Sequence, residues 1–162
     1  GGPQLVLCDE PISALDVSVQ AAVLNLLQRL QSERHVALVF ISHDLNAVRY
    51  LSDKVAVVYL GRIAEMGSTE AIFTPPFHPY TEALVSAIPQ IDAETTPILL
   101  SGTVPSPANP PTGCRFHTRC PRKIGAICET QEPPAHDAGE GHTIYCHIPL
   151  DELTVLQTQV LT

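Results

Sequence analysis

Basic residues are scarce in this chain of 162 residues: nine Lys and Arg stand against seventeen Asp and Glu, a formal net charge of −8. A protein that grips a phosphate backbone by charge alone carries the opposite balance, so nucleic-acid binding is disfavoured. Long apolar runs are missing too. None approaches the roughly 20 residues needed to cross a bilayer, and the first residues lack the charged-then-apolar order of a secretory leader. Tryptophan is absent. What remains is sufficient for a folded body: a hydrophobic fraction of 44% fills a core and argues against wholesale disorder. The length suits one ordinary domain, or one compact piece with an appendage.

Placed along the chain, the counts separate two compositions. Thirteen of the fifteen prolines lie from Pro75 onward, and four of the five cysteines lie between Cys114 and Cys146. The first half reads as an alternating α/β unit. Leu5-Val6-Leu7-Cys8 is a short apolar run ending in two acids, the pattern of a strand buried on both faces. Asp16 stands where an N-cap belongs, and Val19, Val23, Leu26, Leu27 and Leu30 recur at helical spacing. A second apolar run, Val36 to Ile41, ends at Ser42-His43-Asp44, and a short helix with Leu45, Val48 and Leu51 on one face follows. Lys54–Tyr59 and Arg62–Met66 flank Leu60-Gly61 as two strands around a tight turn. Strand, helix, strand, helix is the order that builds a parallel sheet with its chemistry at the strand C-termini, where Asp9, Glu10 and His43 fall.

An acid pair directly after a buried strand can hold a divalent ion or activate water, because the sheet fixes the backbone and leaves the carboxylates at its rim. Asp9-Glu10 suits that reading and equally suits two solvated acids opening a loop. His43 alone is an ordinary strand-end histidine. Taken together, Leu5-Val6-Leu7-Cys8-Asp9-Glu10-Pro11, Ser13-Ala14-Leu15-Asp16 and Ile41-Ser42-His43-Asp44 closely resemble the Walker B strand, D-loop and switch-histidine loop of the nucleotide-binding subunit of ATP-binding-cassette (ABC) transporters. They stand in that family's order and separation. The resemblance implies that Asp9 holds Mg²⁺ through water and that Glu10 is the general base for the water attacking the γ-phosphate of ATP. It implies further that His43 contacts that phosphate and that Asp16 communicates across a head-to-tail dimer. Phosphoryl transfer needs positioning and charge neutralisation more than covalent help, which suits these residue types.

No Gly-x-x-x-x-Gly-Lys-Ser/Thr phosphate loop, no Leu-Ser-Gly-Gly-Gln signature and no recognisable Q-loop occurs in the chain. In the family these precede the Walker B strand. The resemblance therefore implies the C-terminal half of a longer polypeptide, a partial P-loop NTPase core over residues 1–88. Without the amides and lysine that cradle the α- and β-phosphates, the chain by itself is expected neither to bind ATP tightly nor to hydrolyse it.

Phe73-Thr74-Pro75-Pro76-Phe77-His78-Pro79-Tyr80-Thr81-Glu82-Ala83-Leu84 sets a proline cluster before a short helix, with Pro79 suited to its first turn. This segment resembles the His-Pro-Tyr-Thr stretch of the C-terminal extension in oligopeptide and dipeptide ABC importers, including relatives that carry nickel. Residues 89–150 are then a loop-rich extension, Pro89–Pro111 an extended connection, and 151–162 a tail.

Cys114, Cys120, Cys128 and Cys146 leave gaps of five, seven and seventeen residues. Two disulfides need an oxidising compartment. Zinc suits four thiolates, although the Cys-x-x-Cys knuckles usual in structural zinc sites are missing. A [4Fe–4S] cluster also takes four thiolates and tolerates irregular spacing. The family resemblance favours the cluster, with zinc as the alternative. Either metal would supply folding energy to a segment with little apolar surface. Arg115, Arg119, Arg122 and Lys123 stand where they would offset thiolate charge. Cys8, inside the first apolar run, reads as a small buried hydrophobe. The histidines other than His43 lack evident partners.

The expectation is an α/β chain: half a cassette domain plus a metal-binding extension, from an ATPase subunit that powers peptide import. The resemblance implies a place on the cytoplasmic face of the cell membrane. It also implies a second ATP-binding subunit, two transmembrane permeases and an extracytoplasmic substrate-binding protein as partners. The alternative is a non-catalytic iron–sulfur or zinc module with a degenerate cassette half.

Overall fold

The computed structural model describes residues 2–89 and 96–158. Its contacts divide the chain into two compact units, Gly1–Asp53 and Lys54–Thr162, a different division from the compositional one near residue 88.

The first unit runs β1 (Leu5–Asp9), α1 (Val17–Arg34), β2 (Ala37–Ile41), α2 (Leu45–Leu51). β1 and β2 pair in parallel, from Leu5 opposite Ala37 to Asp9 opposite Ile41. Asp16 caps α1 by accepting the Val19 amide, and Asp44 caps α2 by accepting those of Asn46 and Ala47. These caps take up orphan donors at the helix starts and so fix where each strand-end loop turns. The alternation is as expected, but the burial is not. Leu7 is 64% exposed and Leu26 is 54% exposed, and of the apolar stripe on α1 only Leu27 is buried. A two-stranded sheet with two helices has too few layers to cover both faces.

The second unit contains β3 (Lys54–Tyr59), β4 (Arg62–Ser68), α3 (Thr69–Ile72), α4 (Pro79–Ser86), α5 (Ile127–Thr130), β5 (Ala135–Gly139), β6 (His142–Tyr145) and α6 (Leu150–Thr158). Leu60 and Gly61 both have positive φ, 45° and 75°, as a two-residue hairpin turn of the right twist requires. Its strands belong to a four-stranded sheet of order β3-β4-β6-β5. β4 pairs antiparallel with β6, Glu65 opposite Ile144 and Met66 opposite Thr143, so the hairpin shares one sheet with the extension. The expected want of apolar surface there is corrected. Ile144, Cys146, Ile148 and Leu153 form a buried cluster with Leu150 and Ala138 against it, and α6 lies where a tail was expected. The expected extended connection has no regular element over 96–111, and its residues 90–95 lie outside the described ones.

Candidate functional site

Each parallel strand delivers one half of a polar pair. Asp9 is the last residue of β1, and Glu10 follows in the left-handed region at φ 48°, with its amide donating to the Ile41 carbonyl at 2.9 Å. A non-glycine residue held there is strained and persists only where its surroundings fix it. Here the Glu10 carbonyl also accepts from the Ser13 hydroxyl at 3.0 Å. The turn aims the Glu10 carboxylate at the loop after β2, where His43 Nδ1 lies 3.0 Å from Oε1 and 2.9 Å from Oε2. The hydrogen bond to the Glu10 carboxylate, with the charge of that group, raises the His43 pKa above the ordinary imidazole value. Glu10 Oε2 makes no hydrogen bond otherwise. Asp16 lies apart from this pair in its contacts: its carboxylate takes the Ser18 hydroxyl at 2.6 Å and the Val19 amide at 3.0 Å, which lower its pKa.

The four C-terminal cysteines share one neighbourhood. The Cys114 amide donates to the Cys128 carbonyl at 2.9 Å, across a close approach that only glycine allows at position 113. A Cβ on Gly113, whose φ is +65°, would stand 2.6 Å from that carbonyl oxygen. Burial pushes the Cys120 thiol up to about 12 and Cys146 up to about 11, with neighbouring Cys114 and Cys128 adding to both. Cys114 is raised for the same first reason, and Cys128 adds to it. Backbone N–H groups oppose the rise: those of Phe116 and His117 at Cys114, of Arg122 at Cys120, and of Ile148 and His147 at Cys146. The Ile148 amide lies 3.5 Å from Cys146 Sγ.

Among the described residues, no three of His, Cys, Asp and Glu stand close enough to hold one metal ion. A zinc ion with Zn–S distances of about 2.3 Å needs its sulfurs within about 4 Å of one another, so an ion-sized cage is not preformed. The basic cluster also needs correcting. Arg115 Nη1 donates to the Leu60 carbonyl at 2.7 Å, Lys123 bonds Glu129, and Arg122 forks onto Glu82 at 2.7 and 2.6 Å. Three of the four cations are thus spent on oxygen partners. Arg119 keeps a buried Nε without one.

Beside the cysteines lies a buried polar network that the sequence reading missed. Glu65 is 0% exposed and accepts from the His78 amide at 2.8 Å, with His142 Nε2 at 2.7 Å from its other oxygen. Gln157 accepts the Phe77 amide at 2.8 Å and donates to the Phe77 carbonyl and to Glu82. Burial lowers the His78 pKa to about 3, so its ring is neutral, and its Nδ1 accepts the Tyr80 amide to cap α4. His117, His136 and His147 likewise have partners, the carbonyls of Cys114, Cys146 and Gln131. The signal for Glu65 was a charge inside an apolar strand. It was masked by a bulge: Glu65 opposes Val57 while Ile63 opposes Val58, leaving Ala64 extra and turning Glu65 inward.

The "Oligopeptide/dipeptide transporter, C-terminal region" family matches residues 64–128, which include the His78-Pro79-Tyr80-Thr81 start of α4 and Cys114, Cys120 and Cys128. Over those residues the chain is similar to the C-terminal region of that family. It is 49% identical over 148 residues to the probable peptide ABC transporter ATP-binding protein y4tS of Sinorhizobium fredii, covering 90% of this chain and 42% of that protein. It is 47% identical over 150 residues to the oligopeptide transport ATP-binding protein AppF of Bacillus subtilis, covering 90% and 45%. With the oligopeptide transport ATP-binding protein OppF of Escherichia coli the identity is 47% over 148 residues, covering 89% and 44%. The chain therefore spans less than half the length of these relatives. No helix among its described residues is long and apolar enough to cross a membrane.

Proposed function

We propose that this chain is the C-terminal part of an ATP-hydrolysing subunit that powers peptide import, peripheral to the cytoplasmic face of the membrane. It works with a second ATP-binding subunit, two permeases and a substrate-binding protein. The observation that carries the reading is the Glu10–His43 pair at 2.9–3.0 Å on the ends of two parallel strands. Glu10 is the general base, its carboxylate held at the strand ends by His43 Nδ1. His43 orients that carboxylate and faces the γ-phosphate. Asp9, exposed at the end of β1, holds Mg²⁺ through water, and the ion supplies charge neutralisation on the phosphates. Asp16 serves the contact with the second subunit. The outward apolar side chains Leu5, Leu7, Val39 and Ile41 suit a strand pair that continues into a wider sheet in the longer subunit. Glu10→Gln in that subunit is expected to lower ATP turnover by roughly 100-fold or more while ATP still binds. Turnover unchanged to within twofold rejects the assignment. On the present chain alone, micromolar ATP affinity in a titration rejects the division of labour between the halves.

A second reading concerns the extension, and the convergence of Cys114, Cys120, Cys128 and Cys146 favours it. These four residues hold a [4Fe–4S] cluster, with zinc the lesser alternative. The donor set suits such a group: burial raises the pKa of the Cys114, Cys120 and Cys146 thiols, and backbone N–H groups already face these three sulfurs. When bound, the cluster supplies four coordination bonds that cross-link the loop. Iron and sulfide analysis after anaerobic purification tests it, and stoichiometric zinc without iron rejects it.

A further inference from the structure

A cavity of about 430 Å³ in the second unit is bordered by residues of the neighbouring strands β3, β4 and β6 and by the loop before α5. That volume falls within the roughly 300–1,000 Å³ of small-molecule sites. Aromatic residues are scarce, four Phe and four Tyr in the whole chain, yet Tyr59, Phe116 and Tyr145 all border this one space. Tyr59 and Phe116 are buried and meet edge-on at 5.2 Å, so that wall is rigid.

The charged residues around the cavity are unevenly committed. Arg62 holds Glu132 at 2.9 Å in an exposed ion pair. Arg115 is half-buried, and only its Nη1 is engaged, on the Leu60 carbonyl at 2.7 Å. A guanidinium has five N–H donors, so the tether fixes the group and leaves most of its fork without a partner among the described residues. The half-buried Tyr145 hydroxyl makes no hydrogen bond there either. Two arginines against one glutamate give these walls a formal charge of +1, in a chain of −8. One negative charge balances them, and a second would meet Glu132 without compensation.

We infer that this cavity binds a small aromatic monocarboxylate, its carboxylate on the free N–H groups of Arg115 and its ring against Tyr59, Phe116 and Tyr145. The site needs neither ATP nor a metal in the cysteine loop. The competing account is a water-filled groove in which Arg115 only clamps the β3–β4 turn.

Hydrocinnamate titrated into the present chain, followed by calorimetry and amide NMR, separates the two. It is expected to bind at about 1 mM or tighter, with hydrocinnamamide, its neutral isostere, roughly tenfold weaker. Arg115→Met should erase that difference. Because Arg115 also holds the turn, Tyr145→Phe is run beside it and should weaken the acid roughly threefold without moving the amide. Equal affinity of acid and amide for the unaltered chain overturns the anion site, as does binding of neither up to about 10 mM. Tighter binding of phenyl phosphate overturns the preference for a single charge, and NMR shifts confined to residues away from the cavity overturn its location.

Discussion

The two units distribute polarity in opposite ways. The Gly1–Asp53 unit turns apolar side chains such as Leu5 and Leu7 outward and carries its polar pair on open strand ends. The Lys54–Thr162 unit buries Glu65, His78, Glu82, His142 and Gln157 around one another and encloses Leu153 completely. A polar group can stay on a strand end because water solvates it, whereas a buried one must find its partner within the fold. The first unit therefore leaves its polar pair at the solvent-facing strand ends, and the second pairs Glu65, Glu82 and Gln157 within the fold.

The sharpest contrast comes from one substitution made twice. Leu153→Ala, at a site with no exposure, is expected to cost about 3 kcal/mol in denaturant unfolding. Leu7→Ala, 64% exposed, should stay within about 0.5 kcal/mol in this chain. A costly Leu7→Ala in the longer subunit but not here would show that the outward face is covered there.

Arg122→Ala leaves Glu82 buried without its guanidinium, and a loss of about 3 kcal/mol is expected by the same unfolding measurement. A loss below about 1 kcal/mol breaks the picture of the second unit as tied by buried charge. His78 comes next. Its folded pKa is depressed, so below about 6.5 the unfolded chain takes up a proton that the folded one refuses. Stability should fall by up to about 1.4 kcal/mol per pH unit between pH 6.5 and 3. His78→Asn, which can still cap α4, should flatten that slope.

The smallest effect belongs to the first unit. The His43 pKa is raised, so its attraction to Glu10 is fully present below 6.5 and lost as pH rises through the raised value. An NMR titration should find that upshift, and Glu10→Gln should abolish it. A normal His43 pKa in the unaltered chain would dissolve the pair.

Much of the first unit was legible because its signals are local. Apolar runs mark β1 and β2, Asp16 marks the start of α1, and the acid and histidine that end the strands meet because parallel pairing puts Asp9 opposite Ile41. The Leu60-Gly61 turn and the His78-Pro79 helix start were equally readable, each needing only neighbours in sequence. The second unit defeated such reading for a definite reason. His142 meets Glu65 across 77 residues, Gln157 meets Phe77 across 80, and Arg122 meets Glu82 across 40. The basic residues beside the cysteines looked like counter-ions because their carboxylates and carbonyls are remote in sequence.

The sequence by itself thus determined the local elements, the strand-end trio of Asp9, Glu10 and His43, and the set of four cysteines. Hydrophobic periodicity, capping and turn chemistry act over a few residues, so the order of residues suffices to express them. Only the tertiary structure decided that the β3–β4 hairpin joins β6 in one sheet. It alone turned Glu65 inward and buried polar atoms of Tyr59 and Arg119 without a partner. Burial sets whether a polar group needs a partner, and burial is a property of the packed chain.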